Sequence, residues 1–122
     1  MTEEDRATRE EEAATAAETW LRLVDAGRYP ESWDEAAPYL QGFVDRDRLA
    51  RQLRAAREPL GALRARKLAS ALYATSLPGA PDGEYVVLQY ETSFENKRSA
   101  VETVTPMRAA DGGWKVSGYY IK

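Results

Sequence analysis

Four strand-like stretches follow one another in the second half of the chain, and only short, turn-rich segments separate them. The stretches lie near Leu63–Thr75, Tyr85–Phe94, Ser99–Met107 and Trp114–Ile121. A parallel pair of strands needs a crossover of roughly a dozen residues or more, and no separator has room for a crossover helix. The sequence therefore predicts an antiparallel meander, in which each strand pairs with the next one along the chain.

The first half of the chain has helical periodicity. Apolar spacing predicts helices over about Glu3–Ala26 and Asp45–Glu58, and Ser32-Trp-Asp-Glu35 predicts a capping box for a short helix that ends near Leu40. Helices that precede a meander bury their apolar stripes by packing on one face of the sheet. The predicted fold class is α+β, with N-terminal helices packed on a curved four-stranded antiparallel sheet, a cystatin-like roll.

Length and charge suit one small domain. We expect the acidic residues 1–12 to fray and residues 13–122 to form a single α+β roll. A net charge of −3 argues against nucleic acid as a partner, and no apolar run approaches the roughly 20 residues that span a bilayer. The start at Met1 lacks the pattern of a secretory signal. The expected compartment is the cytoplasm, or an extracytoplasmic one if a leader has been removed.

Two residue types are missing from the chain, histidine and cysteine. Their absence excludes a Ser-His-Asp triad, a histidine general base, a thiolate nucleophile and imidazole or thiolate metal sites. Acids such as Asp45 and Asp47 lack the spacing of a calcium loop, and the glycines form no phosphate-binding loop. We therefore expect neither a metal nor a cofactor.

The predicted turns set an expected register for the strands. A two-residue Asn96-Lys97 loop would place Tyr90 opposite Thr103, and a turn at Asp111-Gly112 would place Thr103 opposite Tyr120. The same turn would set Met107 against Val116. The predicted helix-facing set is Val86, Leu88, Tyr90, Phe94, Val101, Met107, Trp114, Val116 and Tyr120. The other face would carry Val87, Gln89, Glu91, Ala100, Glu102, Val104, Tyr119 and Ile121, a mixed surface open to solvent or to a second subunit.

This register also sets Glu91 directly opposite Glu102. Two carboxylates so placed, about 5 Å apart at Cβ, repel each other unless a cation lies between them. They could form an acid/base pair, with Tyr90 beside them. We favour the alternative, a structural bridge from Arg66 or Lys67 or simple exposure to water.

Arg57 ends the third predicted helix, just before the turn at Pro59. It is expected to satisfy the last carbonyls of that helix and to pair with a buried carboxylate such as Glu102. A role in holding a ligand phosphate is the less favoured alternative.

Aromatic side chains are spread over both halves of the chain. They either fill the core, which we favour for so short a chain, or line a pocket suited to a small hydrophobic ligand. The candidates for such a pocket are Trp20, Trp33, Tyr39, Tyr90, Trp114 and Tyr120.

Several motifs together resemble a bacterial family catalogued as domain of unknown function 4019. They are Arg57-Glu-Pro-Leu-Gly61, Arg66-Lys67, Leu77-Pro-Gly-Ala-Pro-Asp-Gly-Glu-Tyr85, Phe94-Glu-Asn-Lys97, Glu102-Thr-Val-Thr105 and Gly118-Tyr-Tyr-Ile121. The resemblance implies a cystatin-like or nuclear-transport-factor-two-like roll. It also implies relatives with secretion signals or additional modules. It brings no activity, substrate or catalytic residue.

The sequence favours a non-catalytic binding or interaction module. Its partner would be a small hydrophobic ligand, or a second copy that meets it through the mixed sheet face to form a homodimer. The alternative is a small acid/base enzyme that uses Glu91, Glu102 and Tyr90. A third possibility is a regulatory module that works with a separately encoded protein.

Overall fold

The helices occupy the first half of the chain and the strands occupy the second, as the sequence predicts. The computed structural model describes residues 1–122. Its elements are α1 (Glu3–Asp25), α2 (Tyr29–Asp34), α3 (Pro38–Phe43), α4 (Arg46–Arg57), β1 (Leu63–Ala74), β2 (Tyr85–Phe94), β3 (Lys97–Arg108) and β4 (Trp114–Ile121). One turn of 3₁₀ helix follows α4. The α+β fold class is confirmed.

The strands form one open antiparallel sheet in the order β1-β2-β3-β4, and the helices pack on one of its faces. The opposite surface of the sheet, called the outer face below, carries no helix. The core lies between the helices and the sheet, and its buried side chains include Trp20, Leu21, Val24, Leu49, Leu53, Val86, Leu88, Tyr90, Val104 and Val116. No helix has both the length and the apolar character that a membrane crossing requires.

The helix predicted near Ser32 to Leu40 is wrong in its limits, because the chain forms two short helices there. Ser32 lies inside α2, where its hydroxyl donates to the Tyr29 carbonyl at 2.6 Å and caps nothing. Pro38 opens α3 at the first helical position, which tolerates a residue without an amide proton and with fixed φ.

The helix α1 begins at Glu3 and is closed at its start by a capping box between Thr2 and Asp5. The side chain of Arg9 reaches Glu84 at 2.8 Å, which links the first turns to the end of the loop before β2. Residues 3–12 are thus helical in the structure. Their fraying stays a prediction.

The predicted register between β2 and β3 is wrong by one residue. Phe94 pairs with Lys97, so the two-residue turn is Glu95-Asn96, and a bulge near Ser93 then shifts the pairing so that Tyr90 opposes Glu102. Because side chains alternate along a strand, this slip exchanges the faces of β3. Glu102 faces the helices, whereas Val101, predicted to face them, is exposed on the outer face.

A second bulge changes the direction of side chains along β4. Thr103 opposes Tyr120, as predicted, but Met107 opposes Lys115 instead of Val116. The extra residue is Ser117, whose hydroxyl donates to the Thr105 carbonyl at 2.6 Å. After the bulge Tyr119 lies opposite the buried Val104, so Tyr119 faces the helices and Tyr120 is directed to the outer face.

Candidate functional site

A buried carboxylate lies at the centre of the helix-facing side of the sheet. Glu102 on β3 has no solvent-exposed surface. Its oxygens accept hydrogen bonds from Arg66 at 2.7 and 3.1 Å, from the Thr92 hydroxyl at 2.7 Å and from the Tyr119 hydroxyl. Such a carboxylate has its hydrogen-bonding needs met from β1, β2 and β4 at once.

Arg66 also connects Glu102 to the end of α1. Its guanidinium donates to both oxygens of Asp25 at 2.8 and 2.9 Å, and Arg57 donates to the same carboxylate at 2.8 Å. Arg57 lies over the ring of Phe94, 4.7 Å from the ring centre. Asp25, Arg57, Arg66 and Glu102 form what we call the buried ion cluster, with two charges of each sign.

The contacts within the buried ion cluster lower the pKa of its carboxyl Asp25 and raise the pKa values of Arg66 and of the neighbouring Tyr119. Burial tends to raise the pKa of Asp25, but the hydrogen bonds and charges of Arg66 and Arg57 outweigh it, so this pKa lies below its usual value. Burial tends to lower the pKa of Arg66, whereas bonds to Asp25 and Glu102 raise it above its usual value. Burial and the Glu102 charge raise the pKa of the Tyr119 hydroxyl.

The cluster offers no free base. Both oxygens of Glu102 and both oxygens of Asp25 already accept hydrogen bonds from cationic or hydroxyl donors. Three polar atoms beside these carboxylates have no partner, namely Nε and Nη1 of Arg57 and the hydroxyl of Tyr90. The geometry is that of a structural junction largely shielded from water, with 13% of the Arg66 side chain and 19% of the Asp25 side chain exposed.

An apolar cleft opens next to this junction, between α3, α4 and β4. Its volume is about 420 Å³, within the range of roughly 300–1,000 Å³ that small-molecule sites occupy. The apolar residues that line this apolar cleft are Trp20, Leu40, Phe43, Val44, Leu49, Leu53, Val116 and Tyr119.

The polar atoms of the aromatic walls are already bonded within the protein. Trp20 and Tyr119 contact each other edge to face, with ring centres 5.3 Å apart. The Trp20 indole donates to the Ser32 carbonyl at 2.9 Å, and the Tyr119 hydroxyl donates to Glu102. Both rings therefore present carbon surface to the cleft.

The mouth of the apolar cleft is different in character. Phe43, at the end of α3, is 80% exposed although its ring is fully apolar. Arg48 and Gln52, both exposed on α4, and Gly118 of β4 complete the lining. An exposed aromatic ring beside an apolar depression is typical of a surface that takes up another molecule.

A second depression, the polar cleft, lies on the other side of Trp20, between α1, α2 and β4. Its volume is about 480 Å³. Charged side chains of both signs line it together with Trp20 and Trp114, and they are Arg28, Glu31, Asp34, Glu35 and Lys115. Several are already paired, since Arg28 bonds Glu31 and Arg46 bonds Asp34. This cleft is less suited to an apolar ligand.

The structure distributes the six predicted pocket aromatics over different surroundings. Trp20 lines both clefts, and Trp114 lines the polar one. The Trp33 indole donates to the Val44 carbonyl at 2.7 Å beneath the end of α3. Tyr39 donates to the Gly79 carbonyl at 3.2 Å and packs against Phe43, with ring centres 6.0 Å apart, but does not itself line the apolar cleft.

Tyr90 and Tyr120, like Trp33 and Tyr39, line neither cleft. Tyr90 is buried in the core, where burial raises the pKa of its hydroxyl to about 12. Tyr120 is 59% exposed on the outer face. Its predicted place among the helix-facing residues is wrong, because the bulge at Ser117 reverses the direction of the side chains that follow.

The predicted cross-strand pair of Glu91 and Glu102 is also wrong. Glu91 opposes Val101 and is exposed on the outer face, whereas Glu102 is buried on the opposite face. The two carboxylates therefore cannot share one proton or flank one substrate. Lys67 lies opposite Glu91 on the outer face, outside the buried ion cluster.

Of the predicted cations, Arg66 bonds Glu102 and Arg57 bonds Asp25 instead of Glu102. Asp25 is the residue that the sequence analysis missed. A carboxylate in the last turn of a helix is unfavourable for the helix dipole, so its position at the end of α1 signals a cationic partner elsewhere. The contribution of α3 to a cleft was missed as well, although Leu40, Phe43 and Val44 give this short segment an apolar character.

Comparisons with known proteins agree with the fold and add no activity. The sequence pattern of the family described as protein of unknown function (DUF4019) matches residues 16–119. The chain belongs to the DUF4019 family. No curated protein matches it.

One solved structure, of a protein from Catenulispora acidiphila, resembles this DUF4019 chain. The TM-score is 0.61 at 12% sequence identity, over 97% of this chain and 93% of that one. Identity this low shows a shared fold alone. The cystatin-like and nuclear-transport-factor-two-like labels stay predictions.

Proposed function

We propose that this DUF4019 chain is a non-catalytic binding module that takes a small apolar molecule into the apolar cleft. The observation that carries the proposal is the cleft itself, with apolar walls and the exposed ring of Phe43 at its mouth. Covering such a surface with a ligand removes apolar area from water, which is favourable at about 25 cal/mol per Å² before the costs of binding.

The composition of the cleft walls supports an apolar ligand over a reactive one. The nearest carboxylate behind the walls, Glu102, is fully buried and bonded to Arg66, Thr92 and Tyr119. It cannot exchange a proton with a ligand while those bonds persist. Apolar walls and a fully bonded carboxylate favour binding of a ligand over catalysis.

The test is uptake of decanol, a neutral apolar probe, followed by NMR shifts of backbone amides. We expect saturable shifts confined to α3, α4 and β4. Val44→Phe, which places a ring in the cleft, should weaken binding at least tenfold, because it occupies the space of the ligand. Val87→Phe is the matched control, since Val87 is a half-buried valine on the outer face, and it should leave decanol binding unchanged.

The proposal fails if wild type does not take up decanol, or if Val44→Phe binds it as tightly as wild type does. Circular dichroism of both variants checks that each retains the wild-type fold. A pattern of shifts on the outer face instead of α3 and α4 would also contradict the proposal.

The outer face supports a second candidate, self-association. It carries three of the exposed large apolar residues, Leu72, Val101 and Tyr120, and it has both charge signs because Lys67 lies beside Glu91. A two-fold contact brings the same patch together from both subunits, so a surface with both signs can match itself.

Sedimentation velocity tests this second candidate. A dimer of wild type is expected, and Val101→Lys should make it monomeric by placing a cation in the apolar patch. Leu68→Lys is the matched control, because Leu68 is 40% exposed against 38% for Val101 but pairs with Tyr90 on the helix-facing side. A monomeric wild type would reject the idea.

A further inference from the structure

We propose that the ligand of the apolar cleft is a free amphipathic anion, a single apolar chain or ring system that ends in a carboxylate or similar group. In this arrangement the apolar part lies against Trp20 and Tyr119, and the anionic head meets Arg48 at the mouth. The inference rests on the proposed function and specifies the chemical class that the cleft would select.

The inner walls of the apolar cleft offer the head group of a ligand no free hydrogen-bonding side chain. The indole of Trp20 donates to the Ser32 carbonyl, and the hydroxyl of Tyr119 donates to Glu102. The other side chains of the inner wall are aliphatic. A polar group buried there would lose its hydrogen bonds to water without replacement, at a substantial cost in free energy. The polar end of any ligand must therefore lie at the mouth.

The mouth of the apolar cleft has one charged residue, Arg48, and it forms no ion pair. Arg48 is the charged residue among those that line the cleft. Two other arginines of α4 are paired, since Arg46 bonds Asp34 at 2.9 Å and Arg54 approaches Glu58 at 3.4 Å. The guanidinium of Arg48 forms no ion pair within the chain. Its five donors are free to bind a carboxylate in a two-pronged arrangement.

No acid competes for the same place. The residues that line the apolar cleft include no Asp or Glu, in contrast to the polar cleft with Glu31, Asp34 and Glu35. Asp45 precedes α4, and its carboxylate accepts the backbone amide of Arg48 at 2.8 Å as the helix cap. Arg48 would repel a cationic head group and could give a neutral one only an ordinary hydrogen bond, whereas an anionic head group would gain a charge-assisted hydrogen bond.

The experiment compares three ten-carbon probes, each below its micelle concentration. They are decanoate, decanol and decyltrimethylammonium, titrated into wild type and into Arg48→Gln. We expect wild type to bind decanoate about three- to fivefold more tightly than decanol, the upper part of the range for an exposed ion pair, and the ammonium most weakly. Arg48→Gln should abolish the preference for decanoate without changing the affinity for decanol.

Arg51→Gln is the matched control, because Arg51 is an exposed arginine of α4 that does not line the cleft. It should bind decanoate as wild type does. Equal affinity for decanoate and decanol in wild type, or an equal effect of Arg48→Gln and Arg51→Gln, would contradict the proposal of an anionic head group. Neither result would contradict binding of an apolar ligand in the cleft. Failure of all three probes would remove the proposed function itself. Binding to vesicles of phosphatidylglycerol in place of free decanoate would also overturn the inference.

Discussion

The effect of Glu102 on stability depends on whether its whole ion pair or only Glu102 itself is removed. Removing an ion pair from water costs nearly as much as the attraction between its charges returns, so a buried pair adds little net stability. Removing only one partner is different, because it leaves the other charge buried without compensation. Glu102 is bonded to Arg66, Thr92 and Tyr119, so its loss would leave several donors unpaired at once.

Glu102→Gln should therefore be costly. We expect it to lower the free energy of unfolding by about 3 kcal/mol or more, measured by urea denaturation at pH 7. Glu95→Gln is the matched control, since Glu95 approaches Arg64 at 3.7 Å on the protein surface, and its loss should cost at most about 1 kcal/mol. Equal costs for the two substitutions would show that the negative charge of Glu102 is not needed to compensate the buried Arg66.

At the scale of elements, the strands and their order follow from the turns between them, but their register does not. The stretch Glu95-Asn96-Lys97 can form its tight turn at either of two neighbouring positions, and the predicted position was one residue late. The bulges near Ser93 and at Ser117 then change which residues face the helices. A bulge depends on how strands fit across the sheet, and no short sequence pattern marks it.

The candidate site was predictable to the extent that it depends on helices. Leu49 and Leu53 are four residues apart, a spacing that places both on one face of the helix predicted over Asp45–Glu58, and both line the apolar cleft. Tyr119 was assigned to the opposite face because its direction depends on the bulge at Ser117. The pairing of Asp25 with Arg66 joins residues 41 positions apart, and nothing local to either residue specifies the other.

At the scale of the molecule, one polar network reaches both long helices and every strand. Asp25 ends α1 and Arg57 ends α4. The side chains that continue the network come from each strand in turn, and they are Arg66, Thr92, Glu102 and Tyr119. Because the network crosses the whole helix–sheet interface, its ionisation state should influence global unfolding and not a local opening.

The free energy of unfolding, measured as the pH falls below 7, reports the ionisation of this network. The pKa of Asp25 in the folded chain is held below its usual value, whereas an unfolded Asp has a pKa of about 3.9. A lowered folded pKa means that the stabilising contribution is fully present above the unfolded pKa. It is lost as pH falls through the folded pKa. Hydrogen bonds from Arg46 to Asp34 and from Tyr73 to Glu84 lower the pKa values of those carboxyls as well.

Asp25→Asn should remove this part of the pH dependence. Urea denaturation at pH 7 should show the variant to be less stable than wild type, because Arg57 and Arg66 lose an anionic partner in a poorly solvated place. The difference should begin to shrink as the pH falls below about 4, because the unfolded chain then takes up a proton at Asp25 that the folded chain binds only at lower pH. Asp47→Asn is the control, since Asp47 is exposed and forms no ion pair. It lies in the first turn of α4, so its loss should cost at most about 1 kcal/mol from pH 7 to pH 3. A difference for Asp25→Asn that stays constant over this range would mean that the lost contribution is not that of the charged carboxylate.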